Sequence, residues 1–139
     1  MKTIISVCLL CTVFMSACMY DASNQPEADQ LVHRYHTALK AENWDAVLAL
    51  YNPVFFKERN RKGWRVKLLE QQKKYGTLQH VRQTYSQKDP RYSGDFYIYG
   101  YTLIFERGTV AETLTIFKGL QDNALGIVGH TLKAKKHSG

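Results

Sequence analysis

The chain has 139 residues, enough for one domain and not for two. Hydrophobic residues make up 45% and charged residues 22%, with nine Tyr, six Phe and two Trp, so material for a core is present and disorder of the whole chain is disfavoured. The net charge of +7 favours anionic surroundings such as phospholipid head groups, anionic glycans or an acidic protein partner. All three cysteines (Cys8, Cys11 and Cys18) precede Met19, which leaves the rest without a disulfide framework.

At the N-terminus, Lys2 supplies a positive charge and Ile4–Met15 form an apolar run interrupted by Ser6 and Thr12. That run is too short for a stable membrane span, which needs about 20 apolar residues, and fits a signal peptide. Met15-Ser16-Ala17-Cys18 resembles a bacterial lipobox: an apolar residue, two small residues, then the cysteine whose thiol is alkylated. The resemblance implies removal of Met1–Ala17, lipidation of Cys18, and attachment to a membrane through the lipid. Met19 follows, rather than an Asp that would signal inner-membrane retention, so the expected location is the outer membrane, facing the periplasm. A plain secretory signal with an incidental cysteine is the competing reading. Cys18–Gln25 reads as a lipidated tether, Pro26–Ala134 as the folded domain and Lys135–Gly139 as a basic tail.

Three helices are expected first. Asn24 can cap the first, with Pro26 in its first turn, and Ala28, Leu31, Val32, Tyr35 and Leu39 recur at helical spacing. Asn43 caps a second helix that Pro53 stops, and Val54-Phe55-Phe56 reads as a buried connector. A third helix runs from about Lys62 to Tyr75, with Trp64, Leu68 and Leu69 inward and Gly76 at its C-terminal end.

Strands follow. His80–Ser86 is the first, and Asp89–Gly94 reads as a turn. Phe96–Arg107 is a long central strand, with Tyr97, Tyr99, Tyr101, Leu103 and Phe105 on one face and Phe96, Ile98 and Ile104 on the other. Gly108 turns the chain into Thr109–Lys118, where Val110, Leu114 and Ile116 share a face. Leu125–Lys133 is the last strand. Helices followed by a meander predict an α+β domain: three N-terminal helices on a curved antiparallel sheet of about four strands.

Ala41-Glu42-Asn43-Trp44-Asp45-Ala46-Val47, then Leu50-Tyr51 and Phe55-Phe56, resemble the opening of NTF2-like (cystatin-like) α+β cones. Trp64, Leu69, Gln72 and Tyr75-Gly76 before the strands extend the resemblance over about 105 residues. It implies a cone with a pocket. It does not choose a function, because such cones host isomerases, dehydratases, transport factors and binding modules.

No phosphate loop, zinc signature or cofactor motif is present, so neither a cofactor nor a metal is expected. His33 and His36 lie three apart on the first helix but lack a third ligand; His33 reads as a surface residue and His36 as a boundary residue. A catalytic cone needs an ionisable base and a hydrogen-bond donor in its pocket, as ketosteroid isomerases use Asp with Tyr. Glu106, Glu112 and His130 are the candidates on strands. Glu106 and Glu112 flank Gly108 and read as a solvated hairpin end. No catalytic set follows, and Tyr35, Trp44, Tyr99 and Tyr101 are the candidate ligand-pocket residues. The basic run of the third helix offers Arg61, Arg65 and Lys67 as a candidate partner-binding face. The leading expectation is a membrane-anchored module that binds an envelope protein partner, an anionic lipid or glycan, or a small apolar ligand. An isomerase- or dehydratase-type enzyme is the alternative. Nucleic acid is disfavoured by the export signal, and a homodimer formed through the aromatic sheet face is a further possibility.

Overall fold

The computed structural model describes residues 25–136. Cys18, the expected signal segment, most of the expected tether and the last three residues lie outside the described residues. Three helices precede a four-stranded antiparallel sheet in the order β1-β2-β3-β4, which is the α+β order that the sequence pattern predicts.

Helix α1 spans Gln25–Lys40, and its buried residues Ala28, Leu31, Val32, Tyr35, His36 and Leu39 form one stripe. Helix α2 is short, Trp44–Ala49, and the Asn43 side chain accepts the Ala46 N–H at 3.2 Å. It ends well before Pro53. Ile127 takes over the backbone there, donating to the Leu50 carbonyl at 3.0 Å and accepting from the Asn52 N–H at 2.9 Å. Strand pairing thus competes successfully for groups that a longer helix would use. Val54-Phe55-Phe56 lies in a 3-10 turn, Pro53–Phe56; Phe55 is buried, but Val54 is exposed, so the connector is not buried throughout.

Helix α3 covers Arg61–Tyr75, with the Asn60 side chain accepting from Lys62 N–H at 2.9 Å and Gly63 N–H at 3.4 Å. Trp64 and Leu68 are buried, whereas Leu69 is only half-buried. Gly76 leaves the helix at φ +83°, a conformation open to glycine at little cost.

The strands are β1 (Leu78–Arg91), β2 (Gly94–Phe105), β3 (Gly108–Gly119) and β4 (Leu125–Ala134). β1 is longer than the expected His80–Ser86 and runs through Asp89-Pro90, which pair with Phe96 and Asp95. It is an edge strand, where a missing proline N–H can be tolerated. The expected turn contracts to Tyr92-Ser93, before Gly94 at φ +152°. Tyr97, Tyr99, Tyr101, Leu103 and Phe105 of β2 are buried, while Phe96, Ile98 and Ile104 on the other face are half-buried. The helices cover the first of these faces: Tyr75 of α3 packs on Phe105 at 5.9 Å and Trp64 on His130 at 5.2 Å.

Candidate functional site: a cleft over a buried polar relay

Strict alternation along β3 turns Val110, Glu112, Leu114, Ile116 and Lys118 toward the helices. Glu112 therefore enters the core, at 2% exposure. Both of its oxygens are occupied. Oε2 lies 2.7 Å from His36 Nε2 on α1, and Oε1 lies 2.8 Å from His130 Nε2 on β4. The chain continues through His130 Nδ1, 2.6 Å from Tyr51 Oη, to Trp64, whose Nε1–H donates to Tyr51 Oη at 3.0 Å.

Two fixed roles set the direction of this network. An indole nitrogen can only donate, so Tyr51 Oη accepts from Trp64, and an ionised carboxylate can only accept, so Glu112 takes an Nε2–H bond from each imidazole; Nδ1 of a neutral His130 is then the acceptor of the Tyr51 proton. His130 then carries its proton on Nε2 and donates it to Glu112. His36 likewise donates from Nε2. Burial alone would push the Glu112 carboxyl up, but the hydrogen bonds from His130 and His36 hold it down to about 2. Tyr51 stays protonated, because burial pushes its hydroxyl up. Tyr35 packs edge-on against His36 and His130 at 5.1 and 5.5 Å. Among the described residues its hydroxyl is the buried side-chain polar atom without a partner.

A cleft of about 640 Å³ opens between α1 and the β1–β2 side of the sheet. It is lined by Asp29, His33 and His36 of α1, Gln83 and Ser86 of β1, and Tyr101 of β2, among others. The His36 and Tyr101 rings meet edge-to-face at 4.5 Å. Nδ1 of His36 and Oη of Tyr101 make no hydrogen bond to the described residues and are not sealed in the core, so both are reached from the cleft. Burial, then Glu112, then Asp29 raise the Tyr101 hydroxyl above the usual tyrosine range, which keeps it a donor. The cleft thus offers a carboxylate-oriented imidazole from α1, a phenol O–H from β2, and further hydrogen-bonding side chains from both sides.

The expected pocket residues divide. Tyr101 lines the cleft. Tyr99 is buried behind it, donating to Asp29 Oδ1 at 2.6 Å. Tyr35 is fully buried, because the inner stripe of α1 faces the sheet directly. Trp44 is half-buried against the core at the start of α2 and does not line the cleft. Glu112 overturns its expected exposure, since alternation places it inward opposite Tyr101. Glu106 is exposed in the β2–β3 turn, 3.8 Å from Arg107, and does not face Glu112. His33 is exposed and His36 nearly buried, in line with their reading as a surface and a boundary residue. Arg61, Arg65 and Lys67 have partners within the fold: Arg61 lies over the Phe56 ring at 5.1 Å, Arg65 binds Asp45 at 3.0 Å, and Lys67 lies over Trp64 at 4.9 Å.

No protein-family model matches the chain, and no curated protein sequence is similar to it. Among solved structures it is similar to Bd1075 of Bdellovibrio bacteriovorus, with a TM-score of 0.58 at 13% identity. The match covers 83% of this chain and 42% of that one, so the likeness spans less than half of Bd1075 and concerns the fold.

Proposed function

We propose that this chain is a lipid-anchored lipoprotein of NTF2-like architecture at the outer membrane, facing the periplasm, and that its domain is a binding module. The ligand occupies the cleft between α1 and β1. The observation that carries this reading is that His36 Nδ1 and Tyr101 Oη are both free toward the cleft while the rest of the relay is saturated. Few apolar side chains line the cleft, which favours a small polar ligand, or a polar group of an envelope partner, over the apolar ligand first expected. The test is a screen of polar fragments against isotope-labelled protein by NMR. The expected shifts fall on Asp29, His36, Gln83 and Tyr101, and are lost in Tyr101→Leu. Fragments that bind only along Arg61, Arg65 and Lys67, or not at all, would contradict the reading.

One observation favours a second reading. A carboxylate that orients an imidazole is also how a general base is held, so His36 as base and Tyr101 as donor would suit an isomerase- or dehydratase-type reaction. Turnover abolished in His36→Gln with fragment binding retained would select it over the binding module.

A further inference from the structure

Among the described residues, the two most exposed large apolar side chains are Tyr92, fully exposed, and Leu120, 62% exposed. They belong to the β1–β2 turn and the β3–β4 loop, at one end of the sheet. Leu120 N–H donates to the Ser93 carbonyl at 3.3 Å, which joins the two loops into one surface. Phe96 and Phe117 pack together at 4.9 Å at the same end.

Helix α1 begins at this end. Glu27, in its first turn, binds Lys118 Nζ at 2.7 Å, and Lys118 is the next-to-last residue of β3. Cys18 precedes Gln25 by seven residues, which span at most about 25 Å. A lipid on Cys18 therefore holds this end of the domain next to the bilayer. Three cations nearby are paired, Lys88 with Asp95 at 3.2 Å, Arg91 with Asp89 at 2.8 Å and Lys118 with Glu27, and Asp122 of the β3–β4 loop adds a carboxylate that accepts the Ala124 N–H at 3.1 Å. Apolar contact, rather than attraction to anionic lipid, is what the surface offers. The basic C-terminal turn of α3 lies at the opposite end, where Arg107 of the β2–β3 turn donates to the Lys73 carbonyl at 3.0 Å.

We propose that the Tyr92 turn and the Leu120 loop rest in the bilayer interface, so that the domain stands on the membrane by its tether end. Tyr92 contributes an apolar ring with a hydroxyl that stays wet, the form that suits a membrane–water boundary. The proposal rests on the lipoprotein reading. The test uses the full-length protein in phosphatidylcholine vesicles, with the acyl group on Cys18 established by mass spectrometry. Nitroxides are placed at Ser93→Cys, Gln121→Cys and Lys73→Cys, and their exposure to oxygen and to an aqueous nickel chelate is compared. Labels at 93 and 121 are expected at interfacial depth, about 5–10 Å into the headgroup boundary, and the label at 73 in water. Adding phosphatidylglycerol should leave this pattern unchanged, and Tyr92→Asp with Leu120→Asp should return position 93 to water. An acylated chain with all three labels in water overturns the proposal alone. An unacylated Cys18 overturns it together with the lipoprotein reading. Immersion of position 73 in anionic vesicles would place the contact on α3 and overturn it as well.

Discussion

At Glu112 burial and hydrogen bonding act in opposite directions. Removing a lone carboxylate from water costs several kcal/mol, yet here each oxygen accepts an imidazole N–H and the carboxyl is held at about 2. Its folded pKa lies below the unfolded value, so its contribution to stability is present above about pH 4.5 and is lost as pH falls toward 2. The full loss is on the order of 3 kcal/mol. Urea midpoints measured from pH 6 down to pH 2 should fall steeply in that window for the natural protein, and the fall should be shallower in Glu112→Gln. Parallel curves for the two would show that the carboxylate is not what the acid attacks. Half of this site was legible in the sequence. The face of Val110, Leu114 and Ile116 contains position 112 by parity alone. A charge on an apolar face nonetheless reads as solvated, because what makes its burial tolerable lies 76 and 18 residues away, on α1 and β4.

Elements whose boundaries rest on local chemistry were legible, and those set by distant partners were not. Asn43 announced α2, and the Asn60 side chain captures two N–H groups at the start of α3. Asn60→Ala should lower stability by about 1 kcal/mol, read as a shift in urea midpoint without a change in slope; an unchanged midpoint would mean that packing of Trp64 alone starts the helix. By contrast, α2 stops at Ala49 because Ile127 claims the following backbone, and β1 outruns its expected end because an edge strand accommodates Pro90. Neither partner is visible from the segment itself. The helical stripe of α1 was read correctly, but it carried no sign that Tyr35 and His36, adjacent in sequence, would divide into a sealed hydroxyl and an imidazole that reaches the cleft.

Across the whole molecule the relay ties the layers together. Trp64 of α3, Tyr51 after α2, His130 of β4, Glu112 of β3 and His36 of α1 form one network that converges on Glu112, so α1 and α3 are joined to the sheet through a polar path that reaches the cleft at His36. Such a path favours a single packing arrangement, because a partly satisfied network costs more than an apolar core. It also leaves the cleft-facing imidazole held by a carboxylate that no ligand can reach directly. His36 presents Nδ1 to the cleft, and the nitrogen-15 imidazole spectrum at about pH 8, where imidazoles are neutral, reads this out. His36 and His130 are both expected to carry their proton on Nε2, and a cleft-binding fragment to move Nδ1 of His36 while Nδ1 of His130 stays fixed on Tyr51. A proton on Nδ1 of neutral His36, or a fragment response shared equally by both rings, would contradict it.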